Sequence, residues 1–154
     1  MKRIITVAIL MIAGTVMFSS CKKSDSSPGY KMTATLASTA FNNTSFSGDN
    51  STFTAGSGSG WVCKISSGGI ATTGVGIELF LYTYKGVGTY SLDGSGSSYE
   101  IGTVSYDGNV RGSITITSVS STSVSGTFYF TGQSNNSPIT TVTVSNGSFT
   151  AKVQ

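Results

Sequence analysis

The chain predicts an all-β fold, and three observations carry that prediction. Apolar and polar residues alternate with period two after residue 30, as where Met32, Ala34 and Leu36 interleave with Lys31, Thr33 and Thr35. Ser, Thr and Gly supply 70 of the 154 residues and Pro only two, a balance that suits strands joined by tight turns. No segment beyond residue 21 sustains a 3.6-residue apolar period over ten residues. The expected architecture is an antiparallel β-sandwich or flattened β-barrel of about nine short strands, with no helix in the mature domain.

Residues 30–37 read as a half-buried strand. Residues 41–60 hold a weaker strand near 52–55 and end in Gly56-Ser57-Gly58-Ser59-Gly60, a flexible loop without the Gly-Lys-Ser/Thr ending of a phosphate cradle. Residues 61–66 form a strand that sets Cys63 with Trp61 and Ile65, opposite Lys64. The strongest pattern lies at 77–84. Ile77, Leu79 and Leu81 face one way, and Glu78, Phe80, Tyr82 and Tyr84 the other, which predicts a central strand covered on both sides. Strands at 88–92, 99–106, 112–117 and 124–131 follow, separated by Asp93-Gly94, Asp107-Gly108 and Ser-rich turns. Asn146-Gly147 reads as the type I′ turn of a last hairpin, with Val144 opposite Phe149 and Val142 opposite Ala151.

Ahead of this domain, Lys2 and Arg3 precede an uncharged apolar run from Ile4 to Phe18. Fifteen helical residues reach only about 22 Å, short of a ~30 Å hydrocarbon core, so the run reads as an export signal. Phe18-Ser19-Ser20-Cys21 resembles the lipobox cut by lipoprotein signal peptidase, with Phe18 in place of the usual Leu. That resemblance implies a lipidated Cys21 at the mature N-terminus. The chain then divides into a signal peptide at 1–20, a lipidated flexible tether at 21–29 and a single β-domain at 30–154. The tether after Cys21 spans at most about 28 Å. Two or three acyl chains hold a protein on a membrane that it does not cross. Lys22, where an Asp would favour inner-membrane retention, resembles the outer-membrane sorting pattern, with either face of that membrane open.

Net charge excludes one class of partner. From Tyr30 onward, Lys31, Lys64, Lys85, Arg111 and Lys152 balance Asp49, Glu78, Asp93, Glu100 and Asp107. Scattered, neutral charge offers nucleic acid no footprint. The sequence contains no histidine, which removes the commonest general base and zinc ligand. With Cys21 lipidated, Cys63 is the lone thiol and reads as a small buried hydrophobe. Asp93-Gly94-Ser95-Gly96-Ser97 lacks the further acidic ligands of a calcium loop and reads as a plain turn. Neither a metal nor a cofactor is expected.

Several segments carry a resemblance to a known group. They are Met32-Thr33-Ala34-Thr35-Leu36 with Phe41, Gly88-Thr89-Tyr90-Ser91-Leu92, Gly112-Ser113-Ile114-Thr115-Ile116, Val124-Ser125-Gly126-Thr127-Phe128-Tyr129-Phe130 and residues 142–149. Together they resemble Bacteroidetes lipoproteins of uncharacterised function. The resemblance implies an envelope location and brings no catalytic residues.

The expected function is that of a membrane-anchored lipoprotein of the bacterial outer membrane whose non-enzymatic β-domain binds or scaffolds. Its candidate ligand is a glycan or a partner envelope protein, with Trp61, Tyr82 and Tyr84 as stacking residues, because aromatic faces on a rigid scaffold stack on sugar rings. The alternative is an inhibitor-type lipoprotein that blocks a lytic enzyme through a loop at 56–60 or 132–138. A hydrolase using Glu78 and Glu100 as its carboxylate pair comes third.

Overall fold

The computed structural model describes residues 29–39, 42–58 and 60–154. The export signal, Cys21 and the tether as far as Pro28 lie outside the described residues, as do Phe41 and Ser59.

Among the described residues ten strands form: β1 (Lys31–Ser38), β2 (Thr44–Asp49), β3 (Thr52–Gly58), β4 (Trp61–Ser66), β5 (Val75–Leu81), β6 (Gly88–Ser91), β7 (Ser98–Ile101), β8 (Val104–Val119), β9 (Ser123–Ser134) and β10 (Thr141–Val153). Among the described residues the one helical segment is a single turn, α1 (Ile70–Thr73), closed by Gly74 at φ 66°. The predicted all-β class holds.

Strand pairing runs in a ring. β3 pairs with β4, β4 with β5, β5 with β7, β7 with β8, β8 with β9 and β9 with β10, each antiparallel. A short parallel junction, Lys152 and Val153 beside Thr52 and Phe53, returns β10 to β3. β6 adds to β8, while β1 joins β10 and carries β2 on its other side. β2 reaches back across the wall, where the Phe46 ring meets Tyr99 of β7 edge-on at 6.3 Å. The result is a flattened barrel with a seam where the free edge of β2 faces α1.

Period two decides what fills it. Met32, Ala34 and Leu36 of β1, Ile77, Leu79 and Leu81 of β5, Ile114 and Ile116 of β8, and Phe128 and Phe130 of β9 all point inward and are buried. Each large side chain so buried contributes roughly 1.5–3 kcal/mol. Every member of this buried cluster lies between Met32 and Ala151, so the segment from Gly29 onward carries its own core.

Several expectations are corrected. Asn146-Gly147 is not a hairpin turn, because β10 runs straight through it. Val144 faces Phe130 and Gly147 faces Phe128, so one extra residue is taken up as a β-bulge with Asn146 at φ 50°. A two-residue turn and a one-residue bulge both move the buried set from even to odd positions. Val142, Val144, Phe149 and Ala151 are therefore all buried, as expected, but along one strand. Asp107-Gly108 likewise lies within β8, at a pair of bulges that includes Asn109 at φ 48°. The expected strand at 99–106 splits into β7 and β8 at Gly102, which has φ 62°. β2 was missed because only Phe46 and Gly48 face inward, too little to mark an alternation.

β5 is central in the ring but covered well on one face only. Its outer face receives Ile70 over Gly76 and Trp61 beside Phe80, whose ring centroids are 5.9 Å apart, and it leaves Tyr82 about half exposed. The expected loop at 56–60 is mostly strand, since β3 continues to Gly58, which pairs with Trp61. Residues 132–134 also belong to a strand, and the β9–β10 connection begins at Asn135.

Candidate functional site: a ladder of hydroxyls around Tyr129

Inward positions being apolar, the outward positions of the same strands hold the Ser and Thr. Registers align them in rows across the sheet. Thr89, Thr115, Thr127, Ser148, Thr33 and Ser47 stand side by side on β6, β8, β9, β10, β1 and β2. Two neighbouring pairs in this row are hydrogen-bonded at 2.9 Å, Thr89 with Thr115 and Thr33 with Ser148. The next row runs Ser91, Ser113, Tyr129, then the bulge residues Ser145 and Asn146, then Thr35 and Ser45. Strand geometry spaces such groups about 4.8 Å across the sheet and about 7 Å along it.

Tyr129 is the one aromatic in these rows, and it is 58 % exposed. The β10 bulge sits directly opposite it. Ser113, Thr115, Thr127, Ser145, Asn146 and Ser148 surround it in a shallow depression of about 580 Å³ whose lining includes no charged side chain. The site therefore offers one aromatic face, many hydroxyl donors and acceptors, and no group able to act as a general acid or base near pH 7.

The three aromatics singled out from the sequence are not brought together. The chain leaves the strand after Leu81, which breaks the alternation. Tyr82 stays outside, whereas Tyr84 turns to the core and packs on Phe53 at 5.3 Å and on Tyr90 at 6.0 Å. Burial, with Cys63 and Tyr90 nearby, pushes the Tyr84 phenol up from its ordinary value. Trp61 is half-buried beside Phe80. Neither the Tyr129 depression nor a second one of about 480 Å³ at the β2 seam is lined by Trp61, Tyr82 or Tyr84.

Glu78 and Glu100 share the outer face of β5 and β7. Glu78 lies opposite Ser98 and Glu100 opposite Gly76, a diagonal placement about 7–8 Å apart. The Glu78 carboxylate is engaged by Lys64 at 3.1 Å and by the Ser66 hydroxyl at 3.2 Å. A hollow of about 290 Å³ beside Glu78 is not lined by Glu100. Asp93 accepts a hydrogen bond from the Gly112 amide at 2.9 Å, and the buried Ser97 hydroxyl accepts one from the Phe80 amide at 2.9 Å, so this loop is fastened to β8 and β5. Among the described residues no three His, Cys, Asp or Glu side chains gather as a metal site. Cys63 is buried, and burial pushes its thiol up to about 12.

Residues 39–152 match the family described as Domain of unknown function (DUF6252). The chain belongs to that family. No curated protein and no solved structure matches it. The DUF6252 match covers β2 through most of β10, so both hydroxyl rows lie within it except for their β1 members.

The rows had a sequence signal of their own. Thr33-x-Thr35, Ser45-x-Ser47, Thr89-x-Ser91, Ser113-x-Thr115 and Ser125-x-Thr127 each place two hydroxyls on one face of a strand. In a chain so rich in Ser and Thr these pairs look like ordinary outward positions, and only register shows that they align.

Proposed function

We propose that this DUF6252 protein is a non-enzymatic binding domain of the bacterial cell envelope, anchored to the outer membrane through lipidated Cys21, whose hydroxyl-bearing face takes an uncharged polysaccharide. Exposed Tyr129 set among the aligned hydroxyls carries the reading. A tyrosine ring packs against the C–H face of a sugar, and flanking Ser, Thr and Asn groups exchange hydrogen bonds with its hydroxyls. An uncharged lining leaves anionic polymers without a counter-charge, which favours neutral sugars. The lipobox at Cys21 and the resemblance to Bacteroidetes lipoproteins support the anchorage.

The test is affinity electrophoresis of the 29–154 segment through gels containing neutral or anionic polysaccharides. Retardation by a neutral polymer, about tenfold weaker in Tyr129→Ala, is expected (roughly 1.4 kcal/mol). Equal retardation of both proteins, or none by any neutral polymer, overturns the reading. Anchorage is read separately, as the mass of a diacylglycerol on the mature N-terminus that Cys21→Ser removes.

One observation favours a second reading, inhibition of a lytic enzyme. The β9–β10 connection projects Ile139, 68 % exposed, from a loop pinned at both ends. The Thr140 amide donates to the Ser134 hydroxyl at 2.9 Å, and the Asn135 amide donates to the Ser105 carbonyl at 3.0 Å. Loss of cell-wall lysis by a lysozyme-type enzyme on adding the domain, reversed by Ile139→Asp, would establish it.

A further inference from the structure

Strand directions assign the two ends of the barrel. β3, β5, β8 and β10 run towards the rim where β1, β4, β6 and β9 begin, β10 ending beside Thr52 and Phe53 at the start of β3. Four of the large exposed apolar side chains gather there. Val62 (44 % exposed) and Tyr82 (49 %) flank the paired Cys63 and Leu81, Val87 (65 %) precedes β6, and Val119 (46 %) ends β8. The cations follow the same geography. Lys31 opens β1, Lys85 lies in the loop with Val87, and Lys152 lies near the end of β10, all exposed, with Asp49 opposite Lys31 as the acidic exception. Glu100 and Asp107 lie towards the other rim.

Described residues also begin at this rim, since Tyr30 accepts a hydrogen bond from the Ser51 amide there. The segment from Lys22 to Gly29 reaches at most about 28 Å, and Lys22 and Lys23 add two more positive charges beside Cys21. A tether of that length keeps this end of the domain within about 28 Å of the lipid surface.

We propose that this rim is a membrane-docking face, its apolar residues entering the headgroup region of an anionic lipid surface while Lys31, Lys85 and Lys152 pair with lipid phosphates. Apolar tips ringed by lysines are the arrangement that binds interfacially without spanning. Docking would fix the domain on its side of the membrane and turn the Tyr129 wall outward along it. The proposal takes only its setting from the lipidation of Cys21, because its test uses protein without an acyl chain.

Trp61, the single tryptophan, sits at the same rim and reports the contact. The 29–154 segment is titrated with phosphatidylcholine vesicles, with or without phosphatidylglycerol, carrying brominated acyl chains. Expected are quenching of Trp61 by the anionic vesicles, weakened by salt, and an affinity about fivefold lower for each of Lys85→Gln and Lys152→Gln. Val87→Asp should weaken quenching, whereas Ile139→Asp at the opposite rim should not. Absence of quenching, equal quenching by neutral vesicles, or equal effects of the two Asp variants overturns the proposal. Rim-dependent dimerisation, lost in Val87→Asp, would overturn it in favour of a second copy. Failure here with a diacylglycerol still present on Cys21 would leave the anchorage standing.

Discussion

Gly147 lies against the ring of Phe128 so closely that a β-carbon on it would sit 2.7 Å from Cδ2. Gly147 points inward directly after the β10 bulge, where Phe128 of β9 has turned its ring across it. Gly147→Ala must displace a buried ring and is expected to cost about 1–3 kcal/mol. Asn146, at φ 50°, needs a left-handed backbone, so Asn146→Ala should cost roughly 1 kcal/mol while Asn146→Gly should be nearly neutral. Urea midpoints of the three variants check this. Because the Phe128 carbonyl oxygen also lies 2.5 Å from that β-carbon, Phe128→Ala should relieve only the ring's share of the Gly147→Ala defect, whereas in a hairpin turn it would relieve none.

That bulge marks where the sequence stops being legible. Local alternation revealed the class, the inward Met32, Ala34 and Leu36 of β1, Ile77, Leu79 and Leu81 of β5, and the burial of Cys63 and Ile65, because period two is a property of each strand alone. Trp61, expected on the Cys63 face, packs outside against Phe80 instead. Alternation could not separate a turn from a bulge at Asn146-Gly147 or Asp107-Gly108, since both change the parity of the buried set. Ring closure rests on two residue pairs between β10 and β3, strands nearly a hundred positions apart. The Tyr129 site was hidden for the same reason, as its hydroxyls become a row only through registers that connect six strands. Tyr84 misled because it continues the outward alternation of β5 two steps past Phe80, after the strand has ended at Leu81.

Cys63 makes the fold sensitive to alkali. Its folded thiol is held at about 12 against an ordinary 9.0, so the unfolded chain gives up this proton first. The contribution is fully present below pH 9 and is lost as pH rises from 9 to 12, by at most about 1.4 kcal/mol per pH unit. Tyr84 and Tyr99, both raised chiefly by burial, act in the same direction at higher pH. Urea midpoints should fall steadily above pH 9, less steeply in Cys63→Ala. A thiol-specific reagent should label Cys63 only at the rate at which the domain opens.

Lys64 and Glu78 are a partly exposed pair, so their attraction is screened. A double-mutant cycle with Lys64→Met and Glu78→Gln should return a coupling below about 1 kcal/mol that shrinks with salt. Glu78→Gln should leave polysaccharide retardation unchanged. A large loss of ligand binding in that variant would move the site from the Tyr129 wall to the β4–β5 face.

Tyr90 connects the core to the docking rim. Its ring packs on Tyr84, while its hydroxyl donates to the Gly86 carbonyl at 2.7 Å and accepts from the Lys85 amide at 3.0 Å. Those two bonds hold the loop that carries Lys85 and Val87. Tyr90→Phe keeps the ring and frees the loop, at an expected cost of about 1–2 kcal/mol. The informative readout is Trp61 quenching by anionic vesicles. A preformed rim requires it to weaken in Tyr90→Phe even where the domain remains fully folded, because a loosened loop must be ordered again on binding. Unchanged quenching would mean that Val87 and Lys85 dock without being held in place beforehand.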